Sequence, residues 1–244
     1  MKAMILAAGL GTRLKPLTDN TPKALILLKQ KPLLEHLINR LKQAGIKEII
    51  INVHHFAEQI ITFLQTNHHF GIYIEVSFEQ DLLDTGGGLK RAQWFFDDGK
   101  PFLLHNVDVI SNLNLSHMLH YHQQKESLVT LAVRSRSTSR YLLFDSQNRL
   151  IGREEIDDGQ KKVIRPASGK IKPLSFMGIH IISADIFDKL PSSQKFSIIT
   201  AYLDLAAKRE PIYAFEADTF SWLDLGHRQN LHEAENDPNL IVTA

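Results

Sequence analysis

The chain has 244 residues, 43% of them hydrophobic, and its 28 basic and 27 acidic side chains leave a formal net charge of +1. That balance argues against a broad nucleic-acid footprint. With no cysteine in the sequence, disulfides, thiolate metal sites and thiol catalysis are excluded, and a cytoplasmic protein is expected.

The N-terminus opens directly into a strand, so no signal peptide is expected. No run of eighteen apolar residues occurs, so no membrane-spanning helix is expected either. Lys2–Ala7, which includes Leu6 and Ala7, reads as an apolar strand. It breaks at Ala8 into Gly9-Leu10-Gly11-Thr12-Arg13-Leu14, and Pro16-Leu17-Thr18 and Thr21-Pro22-Lys23-Ala24-Leu25 follow. Glycines let the backbone pass close to a ligand and aim successive N–H groups at phosphate oxygens. Arg13 and Lys23 add the positive charge that a triphosphate requires. The string is not a Rossmann fingerprint, because Leu14 stands where the third glycine belongs, and it lacks the Gly-Lys-Ser/Thr of a P-loop.

Helical apolar spacing over Leu33–Ala44, Ala57–Gln65, Gly88–Phe96 and Leu115–Gln124 alternates with strand-like runs at Glu48–Val53, Ile72–Phe78, Pro101–His105 and Leu128–Val133. This βαβα order predicts a mostly parallel sheet with helices on both faces, and ligands at the carboxyl ends of its strands. Asp84-Thr85-Gly86-Gly87-Gly88 leads into the third helix, either as a plain Gly-rich helix start or as a backbone that can lie against a flat base. Asn106-Val107-Asp108 closes the fourth strand. A carboxylate there is either a turn residue or a ligand for Mg²⁺, which prefers hard oxygens and shares them with phosphates.

After position 140 the pattern is more hairpin-like, with Arg140–Asp145 and Arg149–Glu154 flanking Ser146-Gln147-Asn148. Asp157–Lys172 is polar and reads as a mobile loop. Ser175–Ile182 is a buried strand, in which Gly178 leaves room and Phe176 offers an apolar face. Helical patterns follow near Asp185–Leu190 and Ile198–Lys208, then a strand at Ile212–Glu216 and a helix at Arg228–Ala234. The histidines at 54–55, 68–69 and 117/120/122 read as strand ends and a solvated helix face, not a zinc centre.

The opening string resembles the signature of the sugar-1-phosphate nucleotidyltransferases, and the resemblance extends along nearly the whole chain. It implies a single-domain α/β fold, a Rossmann-like three-layer sandwich of the glycosyltransferase-A-like kind with a mixed, mostly parallel sheet. Residues 1–244 would form that one domain, with a nucleotide-binding part near 1–135 and a sugar-binding part near 136–235, without the C-terminal β-helix of some relatives. It implies a nucleoside triphosphate and a sugar 1-phosphate as partners, Mg²⁺ as cofactor, and no nucleic acid or membrane. Arg13, Lys23 and Asp108 would be catalytic. Leu6, Ala7, Ala8, Gly9, Gly11, Thr12, Glu79, Gln80, Thr85 and Gly86 would join Arg13 and Lys23 on the nucleotide, and Asn106, Phe176 and Gly178 would meet the sugar. Trp222-Leu223-Asp224-Leu225-Gly226 is similar to a family motif whose Asp is the second metal carboxylate, which makes Asp224 the partner of Asp108. The chain departs from the pattern in three places. Val107 replaces a usual Gly, His227 replaces a usual Thr, and no Glu-Lys-Pro precedes the sugar strand, leaving Arg165, Lys170 or Lys172 to take its Lys. The acidic-Thr-Gly-Gly-Gly segment looks most like the uridylyltransferases acting on N-acetylmuramate 1-phosphate. Guanylyltransferases for mannose or heptose 1-phosphate, a cytidylyltransferase for an alcohol phosphate and a non-catalytic nucleotide sensor on the same fold are the alternatives.

Overall fold

The structure is a computed structural model that describes residues 1–157 and 159–237. Asp158, within the segment read as a loop, and residues 238–244 lie outside the described residues. In chain order the elements are β1 (Ala3–Leu6), β2 (Leu27–Leu28), β3 (Lys31–Pro32), α1 (Leu33–Gln43), β4 (Glu48–Val53), α2 (Ala57–Thr66) and β5 (Tyr73–Phe78). Then come α3 (Asp84–Arg91), β6 (Phe102–Asn106), β7 (Val109–Ser111), α4 (Leu115–Gln124), β8 (Val129–Arg134), β9 (Arg140–Phe144), β10 (Leu150–Glu155) and β11 (Gln160–Val163). The last are β12 (Lys172–Ile182), α5 (Ile198–Ala207), β13 (Ile212–Glu216), β14 (Trp222–Asp224) and α6 (Arg228–Asn236).

The strands β5-β4-β1-β6-β12-β8-β13 form a mixed, mostly parallel central sheet in which β12 alone runs antiparallel to its neighbours. Both faces of this sheet are covered, so its strands are apolar on both sides. In β4, Ile49, Ile51 and Val53 enter the core beneath α1, α2 and α4, while Ile50 enters the opposite core beneath α3 and α5. The result is three layers. Full burial of each such side chain contributes about 2 kcal/mol.

β12 is long enough to serve two purposes. Its C-terminal half pairs with β6 and β8, and its N-terminal half carries the antiparallel meander β9-β10-β11 away from the main sheet. Between Phe176 and His180 the register with β8 shifts, and Gly178 sits there at φ +78°. A small separate sheet pairs β14 with β7, setting Asp224 opposite Val109. A third apolar cluster, including Leu14, Leu28, Leu225 and Leu231, fastens α6 to the opening loop.

The structure differs from the sequence reading at α3, at β11 and at His122, among others. α3 begins at Asp84, four residues before the expected Gly88, and encloses all three glycines. A side chain at Gly86 would run into the Phe196 ring and one at Gly87 into the Gln194 carbonyl. Close helix packing therefore outweighs the poor helix propensity of glycine. The segment read as a loop holds β11, whose backbone pairs with β10 although its side chains are exposed. His122, placed on a solvated face by the sequence, is buried, with its ring nitrogens 2.9 Å from Thr130 Oγ1 and 3.0 Å from Ser183 Oγ. Among the described residues no helix is long and apolar enough to cross a membrane.

Candidate active site

Four side chains named from the sequence converge at Gly226. A Cβ built on Gly226 would lie 2.7 Å from Asp108 Oδ2, 2.9 Å from Asp224 Oδ1 and 3.0 Å from Arg13 Nη2. Lys23 Nζ donates to Asp108 Oδ2. Two carboxylates and two cations thus share one small volume at the carboxyl edge of β1 and β6, where ligands bind in such sheets.

Local structure sets each of them. Gly11, at φ +65°, accepts hydrogen bonds on its carbonyl from Leu14 N (2.8 Å) and from the Thr18 hydroxyl (2.9 Å). This folds residues 12–14 into a single 3-10 turn that leaves Thr12 and Arg13 exposed and buries Leu14. Pro22 starts a second such turn, Lys23–Leu25, and buries Ala24. Asp108 occupies the turn between β6 and β7, and its carbonyl accepts from Leu225 N at 2.8 Å. That bond and the β7–β14 pairing bring the second carboxylate to the first. Asp224 Oδ1 accepts from Gly226 N at 2.8 Å, which fixes the carboxylate within its own turn. Val107, the departure from the family's Gly, is buried in the apolar core. His227 Nε2 lies 2.6 Å from Arg13 Nη1. Because arginine only donates, Nε2 accepts in that pair.

The remaining candidates fall into two groups beside this centre. On one side, Leu6, Ala7, Ala8 and Gly9 lead out of β1, and Ala7 N donates to Asn52 Oδ1 at 2.8 Å. Asn52 Nδ2 donates to Glu79 Oε1 at 2.7 Å, and Glu79 Oε2 accepts from Leu83 N at 3.0 Å. Glu79 is buried, so its carboxylate braces the opening loop through Asn52, while Gln80 is exposed beyond β5. Thr85 Oγ1 accepts from Ile198 N at 3.0 Å and thereby caps α5, and Gly86 is buried against Phe196. On the other side, Asn106 Nδ2 would be 2.8 Å from a Cβ on Gly178, so that glycine makes room for the amide. Phe176 lines a cavity of about 310 Å³ with Arg136, Arg140, Tyr141, Arg153 and Glu155.

Sequence reasoning missed Asn52, whose partners lie 45 and 27 residues away, and the arginines of the cavity. Of the basic residues named for a sugar phosphate, Arg165 donates to Ala206 O at the end of α5 (3.4 Å). Lys172 donates to Asn148 Oδ1 (2.9 Å) and Glu216 Oε1 (2.6 Å), and Lys170 is exposed. None of the three lines the cavity. Among the described residues no group of three or more His, Cys, Asp or Glu could cage a metal. Asp108 and Asp224 instead present two hard oxygen donors, a set that suits Mg²⁺ held jointly with phosphate oxygens.

A basic, glycine-containing loop after the first strand and a carboxylate pair at the same sheet edge mark a mixed α/β domain with its candidate site at the carboxyl ends of the strands, where such sheets bind ligands. The chain belongs to the nucleotidyl transferase family, whose model matches residues 2–239. It is 32% identical over 244 residues to a UTP–glucose-1-phosphate uridylyltransferase of Synechocystis sp., covering 93% of this chain and 60% of that relative. It is 31% identical over 212 residues to an N-acetylmuramate alpha-1-phosphate uridylyltransferase of Caulobacter vibrioides, covering 84% of each. The crystal structure of a putative glucose-1-phosphate thymidylyltransferase from Bacillus anthracis has the same fold, with a TM-score of 0.79 at 21% identity over 96% of this chain and 94% of that one. Against several relatives, such as that of Synechocystis, the chain spans about 60% of their length.

Proposed function

We propose that the protein transfers a nucleotidyl group from a nucleoside triphosphate to a sugar 1-phosphate and releases pyrophosphate. The observation that carries this reading is the meeting of Arg13, Lys23, Asp108 and Asp224 around Gly226. An oxygen of the sugar phosphate attacks the α-phosphorus, a P–O bond forms, and the bond to the β-phosphate oxygen breaks. The attacking oxygen is already anionic, so no general base is needed, and catalysis is positioning and charge neutralisation. Arg13 and the N–H groups of the opening loop hold the departing phosphates, and Lys23 draws the anionic reactants together. Asp108 and Asp224 would hold Mg²⁺, which would supply neutralisation of phosphate charge. The nucleotide occupies the part formed by residues 1–135, with Gln80 and the segment around Thr85 and Gly86 toward the base. The sugar occupies the part formed by residues 136–235, beside Asn106, Phe176 and Gly178.

The proposed pair is UTP with N-acetylmuramate 1-phosphate. Arg140 lines the cavity and makes no ion pair among the described residues, which suits a sugar bearing its own carboxylate.

The test is pyrophosphate release with Mg²⁺, crossing four nucleoside triphosphates with the 1-phosphates of N-acetylmuramate, N-acetylglucosamine, glucose, mannose and heptose. Signal confined to UTP with N-acetylmuramate 1-phosphate is the expected result. Signal with GTP and mannose or heptose 1-phosphate keeps the chemistry and overturns the pair. Silence in every well, with nucleotide still bound, overturns the activity.

A further inference from the structure

None of the three cations that the sequence offered for a sugar phosphate lines the cavity beside Phe176. Arg165 lies against the last turn of α5 and outside the cavity, Lys172 is held by Asn148 and Glu216, and Lys170 stands in solvent outside the cavity. Arg136, just past the end of β8, is differently placed. Its guanidinium lies over the indole of Trp222, 4.6 Å from the ring centroid, with that of Arg134 at 5.8 Å. Trp222 is itself fixed, because Nε1 donates to Met177 O at 2.8 Å and its backbone pairs with Ser111. Trp222 and Asp224 are two residues apart on β14 and share one face of the strand. The indole therefore aims Arg136 along the face that carries the second carboxylate. Arg136 also lines the cavity with Phe176. Its guanidinium donates one long hydrogen bond, to its neighbour Ser137 O at 3.4 Å, and makes no ion pair among the described residues, so most of its donors face the cavity.

Resting on the reading of the site as a sugar-1-phosphate nucleotidyltransferase, we infer that Arg136, stacked on Trp222, grips the phosphate of the sugar 1-phosphate. It thereby takes the place of the lysine that the missing Glu-Lys-Pro would supply. An arginine suits this position for two reasons. Its planar guanidinium can stack on an indole and still present N–H donors to two phosphate oxygens. A flexible lysine at the same position would offer a point charge without that alignment. Burial pulls the Arg136 pKa down while the charge of Asp224 pulls it up, as expected of a cation seated between the cavity and the carboxylate pair.

The test is steady-state kinetics of the Arg136→Ala and Arg136→Lys proteins, varying each substrate in turn. The fixed pair is the one that the wild-type protein turns over fastest in the substrate panel. Arg136→Ala is expected to raise KM for the sugar 1-phosphate about 10- to 100-fold, the loss of a charge-assisted hydrogen bond, with KM for the nucleoside triphosphate within about twofold. Arg136→Lys is expected to recover part of that loss, and Lys170→Ala is expected to change neither constant. A thermal melt matching wild type shows that each variant folds. An active wild type whose Arg136→Ala variant keeps its sugar-phosphate KM, or loses both KM values equally, overturns the assignment alone. A wild type silent with every substrate pair overturns the underlying reading and the assignment with it.

Discussion

Gly226 shows how little space the site leaves for protein atoms. Asp108, Asp224 and Arg13 all come within about 3 Å of where its side chain would start, so an added methyl displaces a charged group. Gly226→Ala is therefore expected to lower kcat about 100-fold, since a misplacement near 1 Å costs that much, while the melting temperature moves by only a few degrees. Unchanged turnover in that variant would mean that the carboxylates do not act from these positions. The grouping of Arg13, Lys23 and Asp108 could be anticipated from short local strings, whereas Asp224 was pointed to only by its resemblance to a family motif. Asn52 and Arg136 could not be anticipated, because their meaning lies in partners far along the chain: Ala7 and Glu79 for the first, Trp222 for the second. No spacing rule records such contacts.

At the scale of elements, the turn from β9 into β10 depends on Asp145, which is fully buried. Burial pushes its pKa up, but the Arg149 guanidinium (2.8 and 2.7 Å) and the N–H groups of Gln147, Arg149 and Ser168 more than offset this and hold it below the usual range. Asp145→Ala leaves those donors unmatched. With allowance for the part-exposed Arg149, the expected loss is about 2–3 kcal/mol, read as a fall in melting temperature of about 5–10 °C. A melt unchanged within 1–2 °C would contradict the assignment of this turn to Asp145. The hairpin itself was readable from alternating residues around Ser146-Gln147-Asn148. Other elements were not. The start of α3 is hidden because Gly86-Gly87-Gly88 signals a turn until Phe196 and Gln194 are seen packed against it. β14 and β7 have three residues each and take their identity only from pairing with one another. β11 is too polar to announce itself.

For the whole molecule, the layered α/β plan was visible because strands buried on both faces and helices buried on one have different apolar periods. The double use of β12 was not, because no local pattern says that one strand will pair with three others. Three buried histidines give the assembled fold a pH signature. Burial lowers His105 and His122 to about 4 and His180 to about 3. Each is neutral in the folded protein but takes up a proton on unfolding below its ordinary value of 6.5. Stability should therefore be level above pH 7 and decline as the pH falls from 6.5 toward 4. Between pH 7.5 and 5.5 each histidine costs about 1.3 kcal/mol. Urea titrations across that range measure the slope. A stability that rises on acidification would show that these rings are charged in the native state.

The central claim is that two carboxylates, from β14 and from the turn after β6, work as one site. Its most direct test is kcat for pyrophosphate release by Asp224→Asn. Asparagine retains an oxygen that can accept from Gly226 N, so the turn survives and only the charge is removed. The account predicts a fall of about 100-fold or more with an unchanged melting temperature. Turnover within a few fold of wild type, in a variant that is folded, would contradict it.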